Sequence, residues 1–266
     1  MNKKLIKTLL QPIAGKKVFQ NFFEKLHLFS IYGMNYGNGS FVDKSGELNA
    51  LKYVANKIKT GNPVIFDVGA NVGDYTRELH NLFGGKAEIH AFEPSKKTFA
   101  ALSKNVGSIN NIRLNNMGLG DKKDILKLYS NKDESGIASI YDRQLDHLNS
   151  SMEQFEEIQI NTLDQYCIDN SISKIDFLKL DVEGHELMVL EGAKSILGEQ
   201  RIHFIQFEFG GCNIDSKTFF QNFYYLLKDN YKIYRILVDG LSEIKNYRET
   251  LEIFTTVNYL AERKSN

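Results

Sequence analysis

The residues most able to do chemistry sit in "IFDVGANVGDY", where Asp67, Gly69, Asn71 and Gly73 alternate with apolar side chains, and at the end of "AEIHAFEP", where Glu93 stands. The two glycines lack β-carbons, so the backbone turns tightly there and admits a close neighbour. A carboxylate at the end of the next strand suits the two hydroxyls of a ribose, one oxygen accepting from each. The turn carries no base to hold phosphate. Asn71 and Asp74 occupy positions where a dinucleotide fingerprint starting at Gly69 needs glycine, and no G-x-x-x-x-G-K-[ST] occurs. What remains is a nucleoside with a cationic or zwitterionic end, and S-adenosylmethionine is that ligand.

A second constellation follows "FLKL": Asp181, Glu183 and His185, joined by Glu208 at the end of "FIQFEF". If the acceptor of a transferred group were a hydroxyl, a base would have to take its proton. His185 is the favoured base, because the first turn of a helix disfavours the imidazolium and keeps the ring neutral. Glu208 or Glu183 would orient it. Structural roles compete: Asp181 as a helix cap, Glu183 as a complement to the helix dipole, and His185 as a hydrogen-bonded packing residue. The same acids offer oxygens to a hard cation, yet no His/Cys ligand pattern accompanies them and no metal is expected. His80, His90, His147 and His203 have no partner evident in the sequence and read as packing or surface residues. Tyr141 and Arg143 are the candidate contacts to a polar acceptor.

These groups need a scaffold that brings strand ends together. From residue 60, short apolar runs ("PVIFDVG", "AEIHAFEP", "NIRLNNMG", "IDFLKLDVEG", "IHFIQFEFG") alternate with helical segments ("VGDYTRELHNLF", "SKKTFAALSKNV", "HELMVLEGAKSIL"). That alternation predicts an α/β fold with a mostly parallel sheet covered on both faces, whose ligands bind beyond the carboxyl ends of the strands. Residues 121–160 break the rhythm with "DILKLYS" and "EIQINTL", an antiparallel insert. Two more strands are expected in "YKIYRIL" and "LEIFTTVNYLAERK". The organisation is a helical extension over residues 1–55 and one α/β domain over 56–266.

Composition narrows the class. Thirty-three bases balance thirty-three acids in 266 residues, so no overall field recruits nucleic acid. Cys167 and Cys212 are too few for a disulfide framework or a cysteine-built zinc site, which fits a reducing, cytoplasmic setting. The first 29 residues are amphipathic and basic, with Phe19, Phe22, Phe23 and Leu26 at helical spacing, and have neither the uninterrupted apolar core nor the cleavage site of a signal peptide. The favoured reading is a helix packed on its own domain; the other is a membrane-surface helix giving peripheral contact.

Taken in order, "FDVGANVGDYT", "FEPSKKTF", "NNMGLGD", "LDQY" and "FLKLDVEGHELMVLEGA" resemble the FkbM-type methyltransferases, from about residue 35 to about residue 260. The resemblance implies a class I methyltransferase fold with a seven-stranded, mainly parallel sheet whose last pair includes one antiparallel strand. It also implies S-adenosylmethionine as methyl donor and a hydroxyl as the acceptor, on sugars of surface glycans or on small natural products. By resemblance, Asp67, Gly69, Asn71 and Gly73 line the methionine end, Glu93 takes the ribose, and Met117 packs near the adenine. Two rivals remain: a methyltransferase-like binder of the same cofactor without turnover, and a nicotinamide oxidoreductase, which Asn71 and Asp74 disfavour.

Overall fold

The computed structural model describes residues 3–38, 45–59, 61–131 and 135–265. In chain order its strands are β1 (Val64–Val68), β2 (Glu88–Phe92), β3 (Ile112–Asn115), β4 (Gly118–Leu119), β5 (Asp124–Ser130), β6 (Gln154–Asn161), β7 (Ile175–Leu180), β8 (Ile202–Phe209), β9 (Tyr231–Leu237), β10 (Gly240–Glu243) and β11 (Val257–Arg263). The helices are α1 (Lys3–Leu10), α2 (Gln20–Gly33), α3 (Glu47–Lys57), α4 (Asp74–Leu82), α5 (Lys96–Val106), α6 (Leu163–Asp169), α7 (Glu186–Glu191), α8 (Lys194–Gly198), α9 (Cys212–Ser216) and α10 (Phe220–Leu227).

The main sheet runs β10-β9-β11-β8-β7-β1-β2-β3. From β3 to β8 it is parallel, and β11 enters antiparallel between β8 and β9. It therefore has eight strands where seven were expected. The eighth, β10, is the edge arm of a hairpin with β9, made by a two-residue connection too short to be read from periodicity. The chain winds outward from β1 to β3 and then returns to the other side of β1 with β7. The switch point lies between β1 and β7, where a crevice opens beyond the strand ends.

β7 is buried along its whole length and β1 along all but its first residue, which explains their apolar character. Phe66, Phe92, Leu178, Phe207 and Tyr259 belong to one core cluster, with Phe207 and Tyr259 stacked at 5.4 Å. The segment 121–160 forms the expected antiparallel pair, β5 against β6, joined on its other edge by β4. "HELMVLEGAKSIL" does not form one helix. It breaks into α7 and α8 at Gly192, where a β-carbon would lie 1.9 Å from the Gly120 carbonyl. The Asp164 carboxylate caps the second piece by accepting from Ser195 N and Ile196 N.

At the N-terminal end the favoured reading is corrected. α2 does not pack its apolar face on the domain: Phe22, Leu26 and Phe29 face solvent, and Ile31 is the helix's buried residue. The following residues do pack. Tyr36 is fully buried, and Asn35 donates to the Ser45 and Ile236 carbonyls. α3 places Ala50, Leu51 and Val54 in a cluster with Ile65, Leu79 and Leu260, so residues 47–57 are continuous with the core of the sheet.

Candidate active site

The turn after β1 is held before any ligand enters. Gly69 N and Ala70 N both donate to the Phe92 carbonyl, at 3.0 and 2.9 Å. Gly69 has φ +87°, and a β-carbon there would lie 1.8 Å from the Asp181 carbonyl oxygen. Gly73 has φ +95°, and its β-carbon would strike Leu102 and Val106 of α5. The glycines thus serve first the approach of neighbouring protein, the β7 loop and α5. Gly69 also lines the cavity with its backbone, whereas Gly73 is buried away from it.

Glu93 ties this turn to the next. Its Oε2 accepts from Asn71 N at 3.0 Å and its Oε1 from Ser95 N at 2.9 Å, while Ser95 caps α5. Burial pushes the Glu93 carboxyl up to about 7, against the pull of those two backbone donors. Both oxygens keep lone pairs for further donors, and the residue lines an inner cavity with Phe92, Pro94, Leu119, Ile140 and Ile158. The insert supplies part of that wall: Leu128 and Ile158 come from β5 and β6, and Ala138 and Ile140 from between them. Met117 packs on the central core cluster and is absent from the wall; its neighbours Gly118 and Leu119 take that place.

Asp67 is also removed from the cavity surface. It is fully buried, accepts from the Thr76 hydroxyl at 2.6 Å, and lies level with Lys179 on β7. Lys179 Nζ donates to Asp181 Oδ2 at 2.9 Å, lies 3.9 Å from Asp67 Oδ1 and sits 4.3 Å above the Tyr75 ring. Burial works against the lysine's charge, but Asp181, Asp67 and Glu47 outweigh it and hold the ammonium above its ordinary value. Beyond it, Tyr75 donates to Gln206, and Gln206 donates to the buried carboxylate of Glu47. Sequence reasoning missed Lys179 and Glu47. The available signal was a lysine inside the otherwise apolar "FLKL".

Asp181 is no helix cap; its side chain is engaged by Lys179. The loop Val182–Gly184 folds instead around Glu186, whose carboxylate accepts from Val182 N and Gly184 N. Glu183 adopts φ +49°, a left-handed conformation costly for a side chain of this type. Burial, with Asp181 nearby, raises its carboxyl to about 8, although Arg143 Nη1 donates to its Oε2 at 2.6 Å. Arg143 also reaches Asp215 at 3.5 Å, so this expected acceptor contact is already committed to two acids.

His185 lines the inner cavity. Its Nδ1 lies 3.1 Å from the Tyr141 hydroxyl, while its Nε2 is buried without a hydrogen-bond partner and points at Gly120. Among the described residues no hydrogen bond joins it to Glu183 or Glu208, the orienting partners expected. Burial lowers its pKa to about 4 against the opposing pull of Asp121, a cause different from the helix position on which the sequence reading relied. Glu208 behaves differently. It is buried yet lines the outer cleft, and its carboxyl has no partner among the described residues. Burial first, then Asp181, Glu183 and Glu186, push that carboxyl well above the usual carboxylate range.

The outer cleft, about 970 Å³, adjoins the inner cavity along Gly69, Asn71, Gly136, Asp181 and Glu183. It has room for a small acceptor beside a nucleoside. His147 lies on its rim; His90 is buried in β2 against the Tyr166 hydroxyl at 2.8 Å. Glu183, Glu208 and Cys212 bring one ligand atom each within 4.8 Å of one another. Burial holds the Cys212 thiol protonated, and two oxygens with a thiol do not suit a hard cation, so the group is better described as an acid pair.

A carboxyl whose folded pKa is raised stabilises the fold most below its unfolded value and loses that contribution as pH rises through the folded one. For Glu93 the window runs from about 4.5 to about 7. Thermal melts at pH 5 and pH 8 should therefore differ between wild type and Glu93→Gln: the wild type's advantage shrinks at the higher pH. A constant gap would mean that Glu93 titrates normally.

A parallel sheet reversed at β1, an antiparallel β11, a strand-end acid at Glu93 and a glycine turn facing the switch point define the class I methyltransferase fold. Residues 67–236 match the methyltransferase FkbM domain, and the chain belongs to that family. It is 24% identical over 172 residues to the 2-O-methyltransferase NoeI of Sinorhizobium fredii, covering 61% of this chain and 70% of that protein. It is 27% identical over 167 residues to the hexuronic acid methyltransferase AglP of Haloferax volcanii, covering 61% of this chain and 62% of the relative. Among solved structures, an FkbM methyltransferase from Methylobacillus flagellatus aligns with TM-score 0.45 and 18% identity over 77% of this chain and 45% of that one.

Proposed function

We propose that this protein is an S-adenosylmethionine-dependent O-methyltransferase acting on a hydroxyl of a sugar or glycan. The observation that carries the reading is the buried Glu208, without a hydrogen-bond partner among the described residues, facing the cleft beside Asp181 and Glu183, next to the cavity that Glu93 borders. The cations that line the cleft, Lys179 and Arg143, are already engaged by Asp181 and Glu183, so it offers little to hold a pyrophosphate, which argues against a nicotinamide cofactor. The residues present suit the donor: Glu93 would hold the ribose hydroxyls, Pro94, Leu119, Ile140 and Ile158 would enclose the base, and Asp181 would face the charged end.

When bound, S-adenosylmethionine supplies an electrophilic methyl group on a sulfonium. The chain's task is then to seat the acceptor and remove its proton. Glu208 is the base this geometry favours, because it opens to the cleft and its raised pKa makes it a stronger proton acceptor than an ordinary carboxylate. Glu183 and Arg143 form the adjoining wall, and Tyr141 with His185 closes the inner side. The relatives' names, one for 2-O-methyl transfer and one for a hexuronic acid, support an oxygen acceptor of sugar type.

Two measurements test this. Calorimetry should detect S-adenosylmethionine and its demethylated product binding the protein, and no binding of NAD. Methyl-labelled cofactor, incubated with nucleotide sugars and uronate-containing glycans, should transfer label to a carbohydrate. Binding of NAD alone would overturn the cofactor assignment, and cofactor binding with no transfer to any carbohydrate would favour the binder without turnover.

A further inference from the structure

Helix α2 presents an apolar face that its own domain leaves uncovered. Val18, Phe22, Leu26 and Phe29 recur at intervals of four, four and three, which places them on one side of the helical path. Phe22 is 58% exposed and Phe29 77%, and Tyr32, one turn further along the helix, is exposed as well. Large apolar side chains clustered on one surface mark a partner.

Charge says which partner. Residues 1–33 hold six lysines and one acid, Glu24; because the whole chain is neutral, the remainder carries five more acids than bases. Lys7, Lys16, Lys17 and Lys25 are all exposed on this N-terminal segment. A second copy would bring lysines against lysines, whereas an anionic bilayer would meet both the charge and the phenylalanines. The acidic remainder would be repelled from that same surface, which orients the molecule.

We propose that α1 and α2 dock this protein on an anionic membrane surface, the apolar face of α2 inserted among the lipid headgroups. α2 leads directly into Asn35–Gly37. Gly37 N donates to the Thr256 carbonyl at 2.8 Å, and Gly37, Thr255 and Thr256 border the outer cleft. Docking therefore sets the cleft mouth beside the bilayer. If the methyl-transfer reading holds, the acceptor is a sugar carried on a lipid; docking itself does not depend on that reading.

The full chain is to be sedimented with vesicles of phosphatidylcholine alone and of phosphatidylcholine mixed with phosphatidylglycerol. Binding to the mixed vesicles should be at least about tenfold stronger and should fall with added salt. The double substitution Phe22→Ser, Phe29→Ser should weaken it about tenfold with the melting temperature unchanged, as both side chains are exposed. Lys16→Glu with Lys17→Glu should remove the preference for anionic lipid. Equal or absent binding to the two vesicle types would overturn the proposal. So would a dimer, seen by light scattering, that the phenylalanine substitutions convert to monomer without any vesicle binding. Methylation of water-soluble sugars would be untouched by any of these results, so docking and catalysis fail separately.

Discussion

Glu208→Gln should lower turnover by about 10²–10⁴-fold, the usual worth of a positioned general base, while changing affinity for S-adenosylmethionine by no more than about threefold. The separation is expected because Glu208 borders the outer cleft and is absent from the wall of the inner cavity. Glutamine keeps the shape and cannot take a proton. The pH profile adds a second readout. A base works only when ionised, and burial with neighbouring acids pushes the Glu208 carboxyl well above its ordinary value. The wild-type rate should climb with pH through a limb lying above the usual carboxylate range, and the glutamine variant should lack that limb. His185→Ala is the companion variant. With Nε2 sealed against Gly120 and Nδ1 on Tyr141, its loss should loosen the inner wall and leave most turnover. A fully active Glu208→Gln beside a dead but folded His185→Ala would return the base to the histidine.

Gly69→Ala should cost about 2–5 kcal/mol of stability. A left-handed φ accounts for roughly 1–2 kcal/mol of this, and intrusion on packed protein for about 1–3. The intrusion is severe because the added carbon would lie 1.8 Å from the Asp181 carbonyl, a backbone atom that cannot rotate away. In a domain of this size each kcal/mol moves the melting temperature by about 2–4 °C, so a drop of roughly 5–20 °C is expected. The relief the chain can find is to push the β7 loop outward, which moves Asp181 and Glu183, and cofactor affinity should fall with stability. Gly198→Ala is the control, since no atom lies within 4 Å of its added carbon. Equal melting of the two variants would mean that the turn at Gly69 yields, and the account of its glycine would have to be dropped.

Much of the scaffold was legible because it depends on local spacing. Apolar runs of strand length alternating with helical periods specify a parallel sheet, and an acid at the end of such a run lies at the sheet's carboxyl edge whatever surrounds it. That is why Glu93, Asp181 and Glu208 could be placed near one crevice from the chain alone. The insert was legible for the same reason, as "DILKLYS" and "EIQINTL" alternate with period two. β10 was not, because its four residues carry too little pattern.

The rest depended on which segments meet. Asp67 and Lys179 are 112 positions apart and become neighbours through the β1–β7 register, so the cationic centre of the site could not be read from either stretch. The same register delivers the Asp181 carbonyl to Gly69, turning a glycine that spacing assigned to a ligand into one required by protein packing. In the sequence His185 was the favoured base and Glu208 a partner to orient it, the one just beyond a strand and the other at a strand's end. Tertiary structure separated them: the loop held by Glu186 turns the imidazole inward under Gly120, while β8 carries the carboxylate to the open cleft. For α2 the periodicity established an amphipathic helix, and only the absence of packing against its apolar face set it apart from an ordinary core helix. Period and residue type reveal what a segment needs to bury or bind; the partner is decided by contacts across the fold, whose geometry no local window contains.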